Sequence, residues 1–304
     1  MPAINLLLIA LLAQQADLQT TIARAASGEC EAVDAPLQQQ FAARDRASAK
    51  LAGLALAQCR IGAKHFDTAG PVVAQLEKEF PADPDVLYVA ANYHQKAWND
   101  AIYRMYQKAP ASYRVDQLSA EVFETQGKYD EAIVEYRKAI AKNPRAVNLH
   151  YRLARAMLQR SHEPAALEEA RKEFVAELAV NPADAVAEYQ VAQILLNQGK
   201  KADAAVHHER AVQLRPDFPE ALVAVAKLRS DAKRYPEAIA LLERAVKLQP
   251  GGEIAHYNLM LAYRNAGRAA DAQREKAELD RIQKPPEGEF TDFLKRLGEK
   301  APVK

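Results

Sequence analysis

The sequence lacks the charge excess of a nucleic-acid-binding chain, because 41 Lys and Arg stand against 40 Asp and Glu. Binding to a phosphate backbone depends on a clustered basic surface, so we expect no nucleic-acid partner. Glycine is scarce, with 11 among 304 residues. No stretch alternates β-branched and polar residues at the period of a strand, which excludes a sheet. The abundance of Ala, Leu, Glu, Gln, Arg and Lys, all good helix formers, predicts an all-α fold.

No apolar run reaches the roughly 20 residues that a membrane-spanning helix needs, so we expect no integral membrane span. The run INLLLIALLA at 4–13 has the length of a signal-peptide core, with small residues at Ala13 and Ala16 behind it. It is preceded by no Lys or Arg, although a signal peptide has a basic start. Residues 1–16 are therefore interpreted either as a secretory signal or as an apolar capping helix. The first predicts an exported protein, periplasmic or envelope-associated, and the second a cytoplasmic one.

Cysteine is nearly absent, since Cys30 and Cys59 are the only two. Their spacing fits neither a zinc site nor a CxxC redox pair. One disulfide formed in an oxidising compartment and two buried thiols between helices are both compatible with the pair. A disulfide would favour export.

Catalytic signatures are also missing: the sequence has no GxSxG, GxxxxGK[ST], GxGxxG or HExxH. The adjacent His207 and His208 would point about 100° apart on a helix, so we expect them to face solvent and the neighbouring repeat rather than a metal. His150 and His256 share one repeat position, which favours a packing role. The carboxylates are expected on exposed faces beside Lys and Arg. We therefore predict no enzyme activity, no cofactor, no metal and no small-molecule substrate.

What the sequence does contain is a repeat marked by proline. Five prolines follow one another at a nearly constant interval, namely Pro110, Pro144, Pro182, Pro216 and Pro250. The interval from Pro144 to Pro182 is slightly longer than the others. The stretch GKYDEAIVEYRKAIAKNP at 127–144 is matched by GKKADAAVHHERAVQLRP at 199–216 and by KRYPEAIALLERAVKLQP at 233–250. Each unit predicts a first helix, a short turn that often contains Gly, a second helix, and a Pro that follows it.

This pattern resembles the tetratricopeptide repeat, which has a period of about 34 residues. Small residues recur at the positions of the family, namely Ala57, Ala91, Ala120, Ala154, Ala192 and Ala226 in first helices and Ala69, Ala132, Ala170, Ala204, Ala238 and Ala272 in second helices. The resemblance implies a right-handed α-solenoid of about six helix-turn-helix repeats over residues 50–284. The first-helix Trp of the family is absent. In addition, one unit has about four extra residues near 161–166, and the unit between Pro81 and Pro110 is short by five.

Two segments flank the predicted array. Residues 17–49 are predicted as an N-terminal helical segment, and residues 285–304 as a C-terminal capping helix and tail. Apolar residues spaced i, i+3, i+4 and i+7 lie in the second segment at Phe290, Phe293, Leu294 and Leu297. We interpret this stripe either as a cap folded onto the last repeat or as an amphipathic segment that docks on a partner.

The resemblance further implies that first helices line a concave binding face. The first helices carry Tyr at one equivalent position four times, with polar residues further along the same face. The predicted partner-binding residues are Tyr88, Asn92, Tyr151, Arg155, Tyr189, Gln193, Lys227, Tyr257 and Arg264. Tyr and Arg commonly anchor interfaces, but the tyrosines could instead stack between successive first helices.

Two functional hypotheses follow. The first is a non-catalytic scaffold that binds a protein or peptide partner on the concave face. The second is a regulatory or assembly subunit of an enzyme system for secretion, envelope biogenesis or glycosyl transfer, with the catalytic site on another chain.

Overall fold

The computed structural model describes residues 16–43 and 45–284, and every regular element in them is a helix. The prediction of an all-α fold is confirmed. The apolar run at 4–13 and the stripe within 285–304 lie outside the described residues. The chain divides into two compact units, Met1–Pro110 and Ala111–Lys304.

Unit 1 is built around one complete helix pair. Its helices are α1 (16–26), α2 (Cys30–Phe41), α3 (Arg46–Gly62), α4 (Phe66–Glu79) and α5 (Pro84–Lys108). The fully buried Ala57 and Ala69 let α3 and α4 approach closely. Gly53 is needed where α2 crosses α3, because a Cβ there would lie 2.7 Å from the Phe41 ring. A disulfide between Cys30 and Cys59 joins α2 to α3 covalently.

The short unit between Pro81 and Pro110 forms one continuous helix, α5, rather than a pair. In five of the six helix pairs of the described residues, the turn between the two helices has a residue with positive φ, at Lys64, Gly127, Gly199, Lys233 and Gly267, whereas the turn after Arg160 has none. Glycine supplies it three times, as predicted, at Gly127, Gly199 and Gly267. The corresponding residue of α5 is Trp98, which has helical conformation. The missing length explains why this unit has no second helix, since a pair without a positive-φ turn residue still forms after Arg160.

Unit 2 is a stack of five helix pairs. Its helices are α6 (Tyr113–Thr125), α7 (Tyr129–Lys142), α8 (Leu149–Arg160), α9 (Pro164–Val180), α10 (Ala185–Asn197), α11 (Lys201–Leu214), α12 (Pro219–Asp231), α13 (Tyr235–Leu248), α14 (Glu253–Asn265) and α15 (Ala269–Ile282). Each pair packs on itself and on the next pair. Together with α3 and α4, the described residues hold six pairs, which confirms the predicted α-solenoid of about six repeats.

Three His–Glu pairs join first and second helices of the same repeat. His150 of α8 contacts Glu173 of α9 at 2.7 Å, and His256 of α14 contacts Glu275 of α15 at 2.7 Å. In the repeat of α10 and α11 the residue types are exchanged, since Glu188 lies in the first helix and His207 in the second, 2.6 Å apart. The packing role predicted for His150 and His256 therefore takes the form of a polar contact inside each pair.

The last helix in the described part of the chain, α15, has a polar outer side. In α13, Ile239 and Leu242 are buried and belong to the core formed with the following helix, α14. At the equivalent positions one repeat later, α15 carries Gln273 and Lys276, and both are exposed. A polar outer side is what the terminal repeat of a solenoid requires for solubility.

Candidate partner-binding face

The nine predicted binding residues are distributed over both units. Tyr88 and Asn92 lie on α5 in unit 1, where Tyr88 is 71 % exposed. The other seven lie in unit 2, at repeating positions on α8, α10, α12 and α14. We call the side of these four helices that carries the seven residues the first-helix face.

Two tyrosines of the first-helix face pack between helices. The half-buried Tyr151 ring meets Phe174 edge-on, with 5.5 Å between ring centroids. The Tyr189 ring lies 5.4 Å from His208 and 5.2 Å from Phe218. Burial raises the pKa of both phenols, because the charged form would lose its hydration. Both rings thus pack inside the fold, but not purely between successive first helices, because Phe174 and His208 belong to the second helices of the same pairs and only Phe218 precedes the next first helix.

The charges at the α8 end of the face are already paired with carboxylates of α6. The Arg155 guanidinium donates to Glu124 at 3.0 Å, and the Tyr136 hydroxyl donates to the same carboxylate. Arg152 pairs with Glu121 at 3.3 Å. Arg155 is thus engaged within the fold, so a ligand would have to compete with Glu124 for it.

The start of α8, which orients Tyr151, has an unusual cap. In α10 the cap is Asp184, whose side chain accepts hydrogen bonds from the first-turn amides. The equivalent residue before α8 is Ala146, which has no acceptor. Instead Glu177 of α9 is fully buried and accepts from the amides of Asn148 at 2.7 Å and Tyr151 at 3.3 Å.

Glu177 contradicts the expectation that carboxylates lie on exposed helix faces. It occupies the position of Ala139, Ala211 and Ala245 in the neighbouring repeats. A buried acidic group there is favourable because it satisfies free amides at the positive end of the helix dipole. The interruption of the recurring Ala is the signal in the sequence that could have identified it.

At the α12–α14 end of the face the side chains are exposed, and two cations have no ion-pair partner in the described residues. Tyr257 is 49 % exposed and Ile254 is 71 % exposed. Lys227 and Arg264 are also exposed, and neither has an ion-pair partner among residues 16–43 and 45–284. One stripe of α14, at i, i+3, i+7 and i+10, consists of Ile254, Tyr257, Leu261 and Arg264. Ile254 and Leu261 were not predicted from the sequence as binding residues, although they share the helical period of Tyr257.

A cleft of about 510 Å³ opens beside this stripe. It lies between the first turns of α12 and α14 and the loop at residues 249–252 that precedes α14. Its lining includes the apolar Val223, Ile254 and Ala255, the polar Tyr189 and Gln249, and the carboxylates of Glu220 and Glu253. The cleft is therefore partly apolar and partly acidic, and it is continuous with the exposed α14 stripe. Gln193, half-buried on α10, lies on the same face without a hydrogen-bond partner in the described chain.

His208 is where the structure corrects the sequence interpretation. It was expected to face solvent and the next repeat, but it is fully buried. The expectation failed because His208 occupies the large core position of the repeat, which Phe174 fills one repeat earlier and Leu242 one repeat later. Within the described chain both ring nitrogens lack a hydrogen-bond partner. Burial lowers the pKa of His208 to about 4, because a protonated ring would lose its hydration there.

The described residues contain no cluster of three or more His, Cys, Asp or Glu side chains arranged to hold a metal ion. A separate search of these helices for membrane-spanning candidates found none with the necessary length and hydrophobicity.

Comparisons with known families match two parts of unit 2. Residues 122–160 match the family described as TPR repeat, the tetratricopeptide repeat. Residues 196–282 match the family described as bacterial transcriptional activator domain. A search of curated proteins finds no match to the sequence.

Solved structures with similar folds include PilF of Pseudomonas aeruginosa, with a TM-score of 0.52 and 15 % identity over 84 % of this chain and all of that one. YrrB, described as a TPR protein with an unusual peptide-binding site, gives 0.49 and 17 % over 60 % of this chain and 92 % of its own. MamA from Desulfovibrio magneticus gives 0.49 and 17 % over 57 % and 97 %. The repeat match at residues 122–160, the regular proline spacing and the fold shared with PilF show that the chain contains tetratricopeptide repeats and has the fold of a tetratricopeptide-repeat solenoid.

Proposed function

We propose that the protein is a non-catalytic scaffold that binds a peptide segment of a partner protein at the α12–α14 end of the first-helix face. The observation that carries this proposal is the exposed stripe of α14, with Lys227 beside it and a partly apolar cleft at its start. Exposed apolar side chains rimmed by polar ones mark interaction sites, and unpaired cations can bind the carboxylates of a ligand. The paired and packed residues Tyr151, Arg155 and Tyr189 support the face from within.

Replacing Lys227, Tyr257 and Arg264 together by alanine should weaken peptide binding at least about 30-fold, since one interface hot spot contributes about 2 kcal/mol. All three are exposed, so the fold should persist. Linear peptides would first be selected from a random display library on the wild-type protein, and their affinity for each variant would then be measured by fluorescence anisotropy.

The matched control removes three exposed side chains from second helices, by Arg137→Ala, Lys172→Ala and Val206→Ala. This variant should bind the selected peptides as the wild type does. Equal binding by the first-helix variant, or equal losses in both variants, would remove the first-helix face as the binding site.

We also propose that the protein is exported to an oxidising compartment. The Cys30–Cys59 disulfide supports this, because such bonds persist outside the reducing cytosol. Mass spectrometry of the protein from its native cells should find a chain that begins after about residue 16 and whose cysteines resist alkylation until they are reduced. An intact Met1 with two alkylated thiols would be the opposite result.

A further inference from the structure

We propose that residues 285–304 of this same chain bind the α14 end of the first-helix face, as an internal ligand that a partner peptide must displace. This inference rests on the proposed function, because it names an occupant for the same face. Residues 285–304 follow directly on the described chain and lie outside it.

The position of the end of α15 places this segment beside the face. The Gln283 amide donates to Glu253 at 3.2 Å, so α15 ends next to the first turn of α14, where Ile254 and the cleft lie. Pro285 and Pro286 follow directly in the sequence, and proline disfavours the continuation of a helix.

The segment is long enough to cover the stripe. Ten helical residues separate Ile254 from Arg264, a length of about 15 Å. Eight extended residues reach roughly 26 Å, so residues 285–292 can follow α14 along its whole exposed side.

The chemistry of the segment complements the face. Its first part alternates acidic and aromatic residues, namely Glu287, Glu289, Phe290, Asp292 and Phe293. The face offers two unpaired cations, Lys227 and Arg264, around the apolar residues of α14. Its exposed carboxylates, Glu220 and Glu253, lie at the first turns of α12 and α14, where Glu253 accepts a hydrogen bond from Gln283. The basic residues of the segment begin only at Lys295, so the part within reach of the two cations is negatively charged. Carboxylates can pair with the cations while the aromatic rings cover Ile254, Tyr257 and Leu261.

The outer side of α15 fits the segment less well. A cap at the end of the stack would need apolar partners for the Phe and Leu side chains, and α15 presents Gln273 and Lys276 where the internal helix α13 presents Ile239 and Leu242. The apolar side chains that remain exposed next to the segment are those of α14. The structure therefore favours the first-helix face over the end of the stack.

Cross-linking in the full-length chain tests this placement. A Tyr257→Cys, Phe290→Cys chain should form a second disulfide under mild oxidation, which peptide mapping detects. A Lys276→Cys, Phe290→Cys chain reports docking on the outer side of α15 and should cross-link much less. Equal cross-linking in the two chains, or more in the second, would overturn the proposal.

Charge exchange tests the complementarity. Lys227→Glu with Arg264→Glu should reduce cross-linking of the Tyr257→Cys, Phe290→Cys chain to the level of the Lys276→Cys control. Adding Glu289→Lys with Asp292→Lys should restore it, which a merely destabilised fold would not do. A cross-link indifferent to these charges would contradict the proposal.

Partner binding separates this inference from the proposed function. The full-length Glu289→Lys, Asp292→Lys chain should bind the selected peptides at least about tenfold more tightly than the wild type, since a tethered ligand acts at millimolar effective concentration. If peptides bind but the cross-link is absent, the internal ligand is wrong and the scaffold function stands. If the cross-link forms but neither chain binds any peptide, the internal ligand stands and the scaffold function fails.

Discussion

Replacing Glu177 by alanine should lower the free energy of unfolding by about 3 kcal/mol, because the amides of Asn148 and Tyr151 at the start of α8 lose their shared acceptor. The alanine itself fits, since Ala139, Ala211 and Ala245 occupy the same position in other repeats. The decrease in the free energy of unfolding therefore reports the loss of the Glu177 cap of α8 and not a steric conflict. Glu177→Gln should cost less, because an amide oxygen can still accept one of the two hydrogen bonds.

Two measurements test this result. Denaturant unfolding followed by circular dichroism gives the free energy, and hydrogen exchange should show faster exchange of the Asn148 and Tyr151 amides in the variant. Glu169→Ala, an exposed carboxylate on the same helix, is the control and should change stability by less than about 0.5 kcal/mol. Equal stability of the Glu177 and Glu169 variants would show that the buried carboxylate does not support α8.

The second large effect that we expect is a decrease in the free energy of unfolding at acid pH, caused by the buried His208. Its pKa is about 4 in the folded protein, against about 6.5 in an unfolded chain. The unfolded state therefore binds a proton first as pH falls. The stability is fully present above pH 6.5, falls between pH 6.5 and 4, and is lower by about 3 kcal/mol below that range.

His208→Leu should remove this loss, since Leu242 shows that leucine fits the position. At pH 7 the variant should also gain about 1 kcal/mol, because two ring nitrogens without partners are replaced by an apolar group. Free energies of unfolding at pH 7 and pH 4 give the difference between variant and wild type. That difference should grow by about 3 kcal/mol on acidification, whereas the exposed His162→Leu should leave it unchanged. A constant difference for His208→Leu would show that the ring is protonated equally in both states.

Much of the fold could be predicted because the same residue types recur at the same positions of successive helix pairs. The regular proline spacing located the helix pairs, and the recurring small residues identified the buried contacts inside each pair. The continuous helix α5 could not be placed in advance, since a missing turn residue at Trp98 is compatible with an irregular loop as well as with a longer helix.

The candidate site was less predictable, because identical residues at equivalent positions differ in burial. Tyr151 and Tyr189 pack against aromatic neighbours, whereas Tyr257 projects from the last first helix and is half exposed. Only the neighbours decide this, and they are distant in sequence, since Phe174 lies on the following helix and Phe218 directly before α12. The ion pair of Arg155 could not be predicted from the sequence either, because its partner Glu124 lies in the preceding repeat.

The exchanged His–Glu pairs also constrain how this gene can have been rearranged. A recombination event that joined α10 to α9 would set Glu188 against Glu173, and one that joined α8 to α11 would set His150 against His207. Each hybrid would oppose two groups of the same kind inside a helix pair. Single-helix exchanges between the α10–α11 repeat and the α8–α9 repeat are therefore unfavourable, whereas an exchange of a whole pair keeps each His opposite its Glu.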